Sequence, residues 1–354
     1  MKVPVGINKF RRLAMHSLTK YIGKTSKIQT LNSVQIESIK KVLVVRPNHR
    51  LGNMLLTMPL LQEISLRFPN ARTDILAKGG LAPIVLKNYE GLNEFILLPR
   101  RPFDELFKYG MVWLRMKFSR YDLIINAVKG SSSGKLLTLI TNSNYKVFQN
   151  IEDQLKPLDS THNATEAIYA LRSVFSLNNS DNTTLDTPLL DLKLTESELE
   201  KGKEIIDTLF DNKKSTIAIF TFATGSKCYS QQWWSLFYEQ LKVDFPHCNI
   251  LEILPMENVS QINFEATSFY SKDIMEIGSV MANCNVFIGA DSGIMHLASA
   301  SGVPTIGLFT GRIDNYKPYG NLNCGTNTTN TCLKDWMAII AKILKTDSSG
   351  IVNS

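Results

Sequence analysis

Two kinds of apolar spacing alternate along this chain. Short continuous apolar runs occur at residues 41–46 (KVLVVR), 73–77 (TDILA), 94–99 (EFILLP) and 121–127 (YDLIINA). Such runs are the pattern of strands covered on both faces of a parallel sheet. Between them stand stretches with apolar residues at helical intervals, the clearest being LLTMPLLQEISLRF, which predicts one helix ending at Phe68. A polar, Asn/Asp/Thr-rich stretch at 176–191 reads as a linker, and the alternation then restarts. A strand is expected at 215–222 and another at 249–254, with helices at 196–210, from about Gln231, and at 273–282. Near the end, NVFIGADSGIMHLASASGVPTIGLFTG predicts a strand (286–288) breaking at Gly289, a tight polar loop, a helix with His296 one turn in, a stop at Pro304 and a strand at 305–309. Strands alternating with helices throughout indicate an α/β protein built on wound parallel sheets. No repeat of fixed short period appears.

Composition bounds this picture. At 354 residues and 44% hydrophobic, the chain can bury two cores. The expected division is a basic N-terminal extension (1–40), a first Rossmann-like domain (41–180) and a second with a C-terminal helix (181–354). No window approaches the roughly 18 apolar residues of a membrane span, and no signal-type apolar region follows the basic start, so a cytoplasmic location is expected. The five cysteines lack C-x-x-C spacing, which indicates neither a zinc site nor a disulfide framework; buried free thiols are expected. Lys and Arg outnumber Asp and Glu by 39 to 32. Part of the excess lies within residues 2–27, interleaved with Phe10, Leu13, Leu18 and Tyr21 at helical spacing. This basic amphipathic segment suits an anionic membrane surface or an acidic substrate, and equally a helix docked on the body of the protein. No nucleic-acid module accompanies the charge, so nucleic acid is not an expected partner.

The candidate chemistry lies in loops that follow strands, where open α/β sheets bind ligands. Asp291, Ser292 and Gly293 precede a helix, and with His296 they place more polar groups at one loop mouth than a turn requires. A helix N-terminus offers unpaired N–H groups and a positive dipole end to a phosphate. In ATGSKCYSQQWW, the residues Thr224, Gly225, Ser226 and Lys227 form a second phosphate-type cradle, with Lys227 as its point charge. Trp233 and Trp234 read as core residues of the helix that follows. In the first half, RPNHRLGN carries Arg46, His49, Arg50, Gly52 and Asn53. The run KGSSSGK carries Lys129, Ser131, Ser132 and Lys135, and reads either as an anion-holding loop or as a plain turn. Neither G-x-G-x-x-G after the first strand nor a P-loop is present, and no D-x-D metal pair stands in a suitable loop. No cofactor or metal is expected.

Three signatures resemble glycosyltransferase family 9, the ADP-heptose:lipopolysaccharide heptosyltransferases: VLVVRPNHRLGNMLLTMPLL, FATGSKCYSQQWW and IGADSGIMHLASASGVPTIGLFTGRIDNYKPYG. The resemblance spans residues 41 to about 344. It implies the GT-B architecture, two Rossmann-like wound α/β domains facing a central cleft, and an inverting, metal-independent transfer of heptose from a nucleotide-diphosphate sugar. By match to the family, Asp291, Ser292, Gly293 and His296 hold the donor's diphosphate and sugar, Lys227 and Thr224 form the phosphate-side segment, and Glu257 corresponds to a nucleoside-binding glutamate. The implied acceptor is the anionic inner core of lipopolysaccharide at the inner face of the cytoplasmic membrane, where the protein would sit peripherally.

One position departs from the family. Gly52-Asn53 stands where members commonly read Gly-Asp, the aspartate being taken as the base that deprotonates the acceptor hydroxyl. An amide cannot do that work. Three readings stay open: another group serves as base, His49 in the same loop being the nearest; the loop is offset; or the chain binds without turnover. Asp104 and Glu105 are further carboxylates to consider. A transferase with another donor or acceptor, a nucleotide-sugar epimerase and a non-catalytic nucleotide-sugar-binding protein are the rival functions.

Overall fold

The computed structural model describes residues 15, 17–23, 33–149, 162–174, 186–311, 313–320 and 322–348. The chain divides into two compact units, Met1–Pro188 and Leu189–Ser354. Most of the basic N-terminal segment, and residues 176–185 of the expected linker, lie outside the described residues.

The first unit is built on five parallel strands: β1 (Lys41–Arg46), β2 (Arg72–Lys78), β3 (Leu92–Leu98), β4 (Arg120–Asn126) and β5 (Asn142–Val147). Their order is β3-β2-β1-β4-β5. Val42, Leu43, Val44 and Val45 are all fully buried, as a central strand covered on both faces requires. One core forms where Leu43, Val45, Leu76, Ile96 and Ile124 meet Met116 of the helix Leu106–Phe118 and Leu137 of the helix Ser132–Ile140. The single helix expected up to Phe68 is in fact two, Leu51–Leu55 and Met58–Arg67. Pro59 explains the break, because it has no N–H to bond to the Leu55 carbonyl, yet it fits the first turn of a new helix. Buried Glu63 is held by Arg67 and by Arg172 of the helix Glu166–Val174, the latter through two 2.8 Å hydrogen bonds.

The second unit carries six parallel strands: β6 (Thr216–Phe220), β7 (Asn249–Ile253), β8 (Thr267–Phe269), β9 (Val286–Ala290), β10 (Thr305–Phe309) and β11 (Cys324–Asn327). Their order is β11-β10-β9-β6-β7-β8. Trp234 is fully buried and Trp233 packs against the same core, with Phe237 and Trp336, as expected of core residues. The helix Glu196–Leu209 starts on a capping box, Thr195 with Glu198, and its Gly202 lies directly against the Ser279 backbone of the helix Ile274–Ala282.

Two local expectations are corrected. The strand expected to break at Gly289 runs through it to Ala290; Gly289 pairs with Gly307 on β10, and a Cβ on Gly289 would stand 2.9 Å from the Phe287 ring. The helix after it ends at Ala300, before Pro304 is reached. Gly302, at φ +83°, turns the chain in a conformation that side-chain-bearing residues disfavour. The five cysteines are free thiols, but only Cys284 is buried, where burial pushes its pKa up to about 12; Cys332 is exposed.

Candidate active site

In each sheet the chain leaves its first strand in one direction and later returns to extend the sheet in the other. This topological switch point falls between β6 and β9 in the second unit and between β1 and β4 in the first. Loops leaving the carboxyl ends of switch-point strands form the ligand crevice of such sheets. All four loops singled out in the sequence leave these four strands.

In the second unit, the loop after β6 holds Thr224 in extended backbone and then one 3₁₀ turn, Gly225–Lys227. Gly225 has φ +67° with open space around its missing Cβ, so backbone conformation rather than crowding favours glycine there. Thr224, Gly225, Ser226 and Lys227 are exposed. The Lys227 ammonium reaches the Asp291 carboxylate after β9, Nζ to Oδ2 2.5 Å. The two loops are thereby tied by a pair whose side chains are 51% and 18% exposed. Ser292 caps the helix Gly293–Ala300, its Oγ accepting from the Met295 N–H at 3.2 Å. Gly293 is half-buried in the first turn. His296, expected at the loop mouth, is instead buried, at 3% exposure, among the packed residues of that helix.

Glu257 is exposed in the turn after β7. A second glutamate, read in the sequence only as part of a strand, has a structural part in the same region. Glu252 on β7 is fully buried and accepts a 2.6 Å hydrogen bond from the Thr221 hydroxyl, whose oxygen in turn accepts from the Gln261 N–H at 3.1 Å. Burial raises its pKa against the lowering effect of the hydroxyl hydrogen bonds. The network joins the loop carrying Thr224 to the one carrying Glu257.

In the first unit, Arg46 is buried and donates from Nε to the Asn53 carbonyl at 3.0 Å and from Nη1 to the Ala127 carbonyl. It ties the helix Leu51–Leu55 to the start of the loop after β4. Gly52 and Asn53 are not in the loop but in the helix Leu51–Leu55. His49 is half-buried and Arg50 exposed. Burial, and then the charges of Lys78, Arg100 and Arg50, hold the imidazole pKa below its ordinary value. His49 lines an open cleft of about 500 Å³ with Arg100, Arg101, Asp104 and Glu105. The structure therefore gathers His49 and both fallback carboxylates at one place.

The KGSSSGK run is a helix start. Lys129 is exposed, and Ser131 caps the helix Ser132–Ile140 by accepting from the Gly134 N–H at 3.1 Å. Thr19, buried, donates to the Ser132 hydroxyl at 2.9 Å, while the Lys135 ammonium donates to the Thr19 carbonyl at 3.4 Å. The described part of the N-terminal segment is thus docked on this loop. Asn126, at the end of β4, is 1% exposed, and neither atom of its amide has a hydrogen-bond partner among the described residues. A Cβ on Gly134 would lie 2.9 Å from the Asn126 Oδ1, so this close approach needs glycine. Nothing in the sequence distinguishes Asn126 from an ordinary strand residue.

Residues 271–337, which include β9, its loop and the helix behind it, match the family model "Glycosyltransferase family 9 (heptosyltransferase)". This stretch is similar to glycosyltransferase family 9. The matched stretch contains Asp291, Ser292, Gly293 and His296, while Lys227 and the loops of the first unit fall outside it. Among solved structures, the chain is similar to a family 9 glycosyl transferase from Veillonella parvula DSM 2008, with 14% identity and a TM-score of 0.71, covering 88% of this chain and 99% of that one. It is also similar to E. coli ADP-heptose lps heptosyltransferase II, with 14% identity and a TM-score of 0.63 over 87% and 99% of the two chains. A third is E. coli heptosyltransferase WaaC, solved with ADP, with 13% identity and a TM-score of 0.63 over 86% and 99%. No curated protein sequence matches the chain. At these identities the structural likeness establishes the fold, two Rossmann-like parallel-sheet domains of the GT-B type, across both units. The family 9 match within the second unit is the finding that points to a glycosyltransferase.

Proposed function

We propose that the chain transfers a heptose from a nucleotide-diphosphate heptose, ADP-heptose by family likeness, to the anionic inner core of a lipopolysaccharide acceptor at the cytoplasmic membrane surface. The observation that carries this reading is the Lys227–Asp291 pair beside the N-terminus of the helix Gly293–Ala300. A lysine, a carboxylate and a helix dipole there provide a cation for the diphosphate, an acceptor for sugar hydroxyls and main-chain donors for phosphate oxygens. Thr224, Ser226 and Glu257 complete the donor side. WaaC, with the same fold, was solved with ADP, which favours adenosine as the nucleoside.

In the proposed step, the acceptor hydroxyl oxygen attacks the anomeric carbon from the face opposite the diphosphate, with inversion. The bond to the diphosphate oxygen breaks, and its charge is taken up by Lys227 and the helix N-terminus without a metal. The hydroxyl proton goes to a base. Asn53 cannot accept it. His49, whose pKa lies below the ordinary imidazole value, is neutral and able to accept a proton at pH 7. Arg50, Lys129, Ser131 and Ser132 are the acceptor-side groups, and Arg46 holds their loops. The test is incubation with a panel of nucleotide sugars, with and without a truncated core glycolipid, following nucleoside diphosphate release. Release from ADP-heptose that depends on acceptor supports the reading. Release without acceptor points to an epimerase or hydrolase, and donor binding without turnover to a non-catalytic protein.

A further inference from the structure

The helix Leu106–Phe118 has two apolar faces, and one is buried. Tyr109, Val112, Trp113 and Met116 pack into the first unit's core. The opposite side carries Phe107, Met111, Leu114 and Phe118, at 83%, 48%, 50% and 76% exposure. Their spacing, i, i+4, i+7 and i+11, sets them in one line along the helix. A soluble surface helix ordinarily turns polar residues outward, and a contiguous exposed stripe of large apolar side chains marks an interaction surface.

The charges around the stripe indicate what it meets. Lys108 and Arg115 stand on one flank and Lys117 on the other, and residues 100–120 carry six Lys or Arg against two Asp or Glu. Arg115 is partly neutralised by Glu94 and Lys108 by Glu105, while Lys117 flanks the Phe118 end of the stripe. An apolar line bordered on both sides by long cationic side chains fits an interface that is apolar in its middle and anionic at its edges, as a bilayer of anionic lipids is. The helix is convex and offers a ridge, where a partner protein would more commonly require a groove or a flat patch. We infer that this helix is the surface by which the first unit seats on an anionic membrane, with Phe107, Met111, Leu114 and Phe118 entering the headgroup–acyl boundary. This deepens the peripheral membrane placement proposed above by naming its surface, which is separate from the basic N-terminal segment. It does not depend on the sugar transferred.

The test is cosedimentation of the full chain with vesicles of phosphatidylethanolamine and phosphatidylglycerol, against vesicles of phosphatidylcholine alone. Wild type should bind the anionic vesicles and not the neutral ones. The double variant F107S/F118S should lose about tenfold or more in vesicle partition, two large apolar groups having been removed from the boundary. Because both side chains are exposed, its melting temperature should match wild type. K108E/K117E should lose the preference for anionic vesicles. A wild type that ignores anionic vesicles overturns the inference. So does undiminished binding by F107S/F118S, which would assign membrane contact to the N-terminal segment. A wild-type dimer that F107S/F118S converts to a monomer by light scattering also overturns it, since a second copy would then cover the stripe. Failure of heptose transfer with these vesicle results intact would count against the proposed reaction and leave the membrane surface standing.

Discussion

Replacing Lys227 with Ala tests the donor side most sharply, because the structure gives the lysine a defined partner, Asp291. The Lys227–Asp291 contact is partly exposed, so solvent screening limits its contribution to stability to roughly 0–1 kcal/mol. Loss of the pair should therefore lower the melting temperature by no more than about 4 °C. Its effect on the ligand is larger. A diphosphate placed on the lysine replaces the Asp291 contact with charge-assisted hydrogen bonds worth ~1.5–3 kcal/mol. Lys227→Ala should accordingly weaken ADP by roughly 10- to 150-fold, towards the lower end because displacing Asp291 already costs part of the gain. Calorimetric titration with AMP and ADP is the assay, AMP being expected to lose much less. Asp291→Ala is the companion: it frees Lys227, so ADP affinity should hold or tighten while ADP-heptose loses its advantage over ADP. Equal losses for AMP and ADP in Lys227→Ala would refute the phosphate role. So would a melting temperature lowered by about 10 °C or more, which would make the lysine a structural residue.

Three other outcomes follow from the same structure. If His49 is the base, His49→Ala should cut turnover by ~100-fold or more with donor affinity retained; because burial and neighbouring cations lower its pKa, the wild-type rate should fall as pH drops, with its midpoint on the acid side of the ordinary imidazole value, where the imidazole is protonated. Asn53→Asp introduces a carboxylate within the helix Leu51–Leu55, and should rescue His49→Ala; a rate insensitive to both changes would place the base at Asp104 or Glu105, which line the cleft with His49. Glu63→Ala should destabilise the first unit by ~3–5 kcal/mol in urea unfolding, since it strands Arg67 and Arg172. Burial opposes ionisation of Glu63, but the hydrogen bonds from Arg172 and Arg67 outweigh it and depress the pKa, so its stabilisation is present above the ordinary carboxyl pKa and lost as pH falls through the depressed one.

The central strands were legible because a strand buried on both faces has to be apolar throughout: KVLVVR, YDLIIN, TIAIF and TIGLF all stand where the pattern places them. The strands that went unread are β5 (NSNYKV), β8 (TSF) and β11 (CGTN), all at sheet edges, where one side is open and polar residues are tolerated. Gly289 looked like a stop because an isolated glycine in an apolar run usually is one. Its purpose here, room for the Phe287 ring across from Gly307, exists only once β9 and β10 pair. At the site, the residue types and loops were legible, but their pairings were not. Lys227 meets Asp291, and His49 meets Arg100, Asp104 and Glu105, because of strand order, which no local spacing encodes. Asn126 and Glu252 were hidden for another reason: a single polar residue in an apolar strand carries no sign of whether its partners are supplied.

The claim on which the account rests is that a heptose leaves a nucleotide diphosphate for a glycolipid. The direct measurement is the mass of a heptose-deficient core glycolipid after incubation with the protein and ADP-heptose. The account predicts a product heavier by one heptose residue, formed together with an equal amount of ADP and with the anomeric configuration inverted relative to the donor. A glycolipid of unchanged mass, with the donor consumed to ADP and free heptose or left bound and intact, would contradict it.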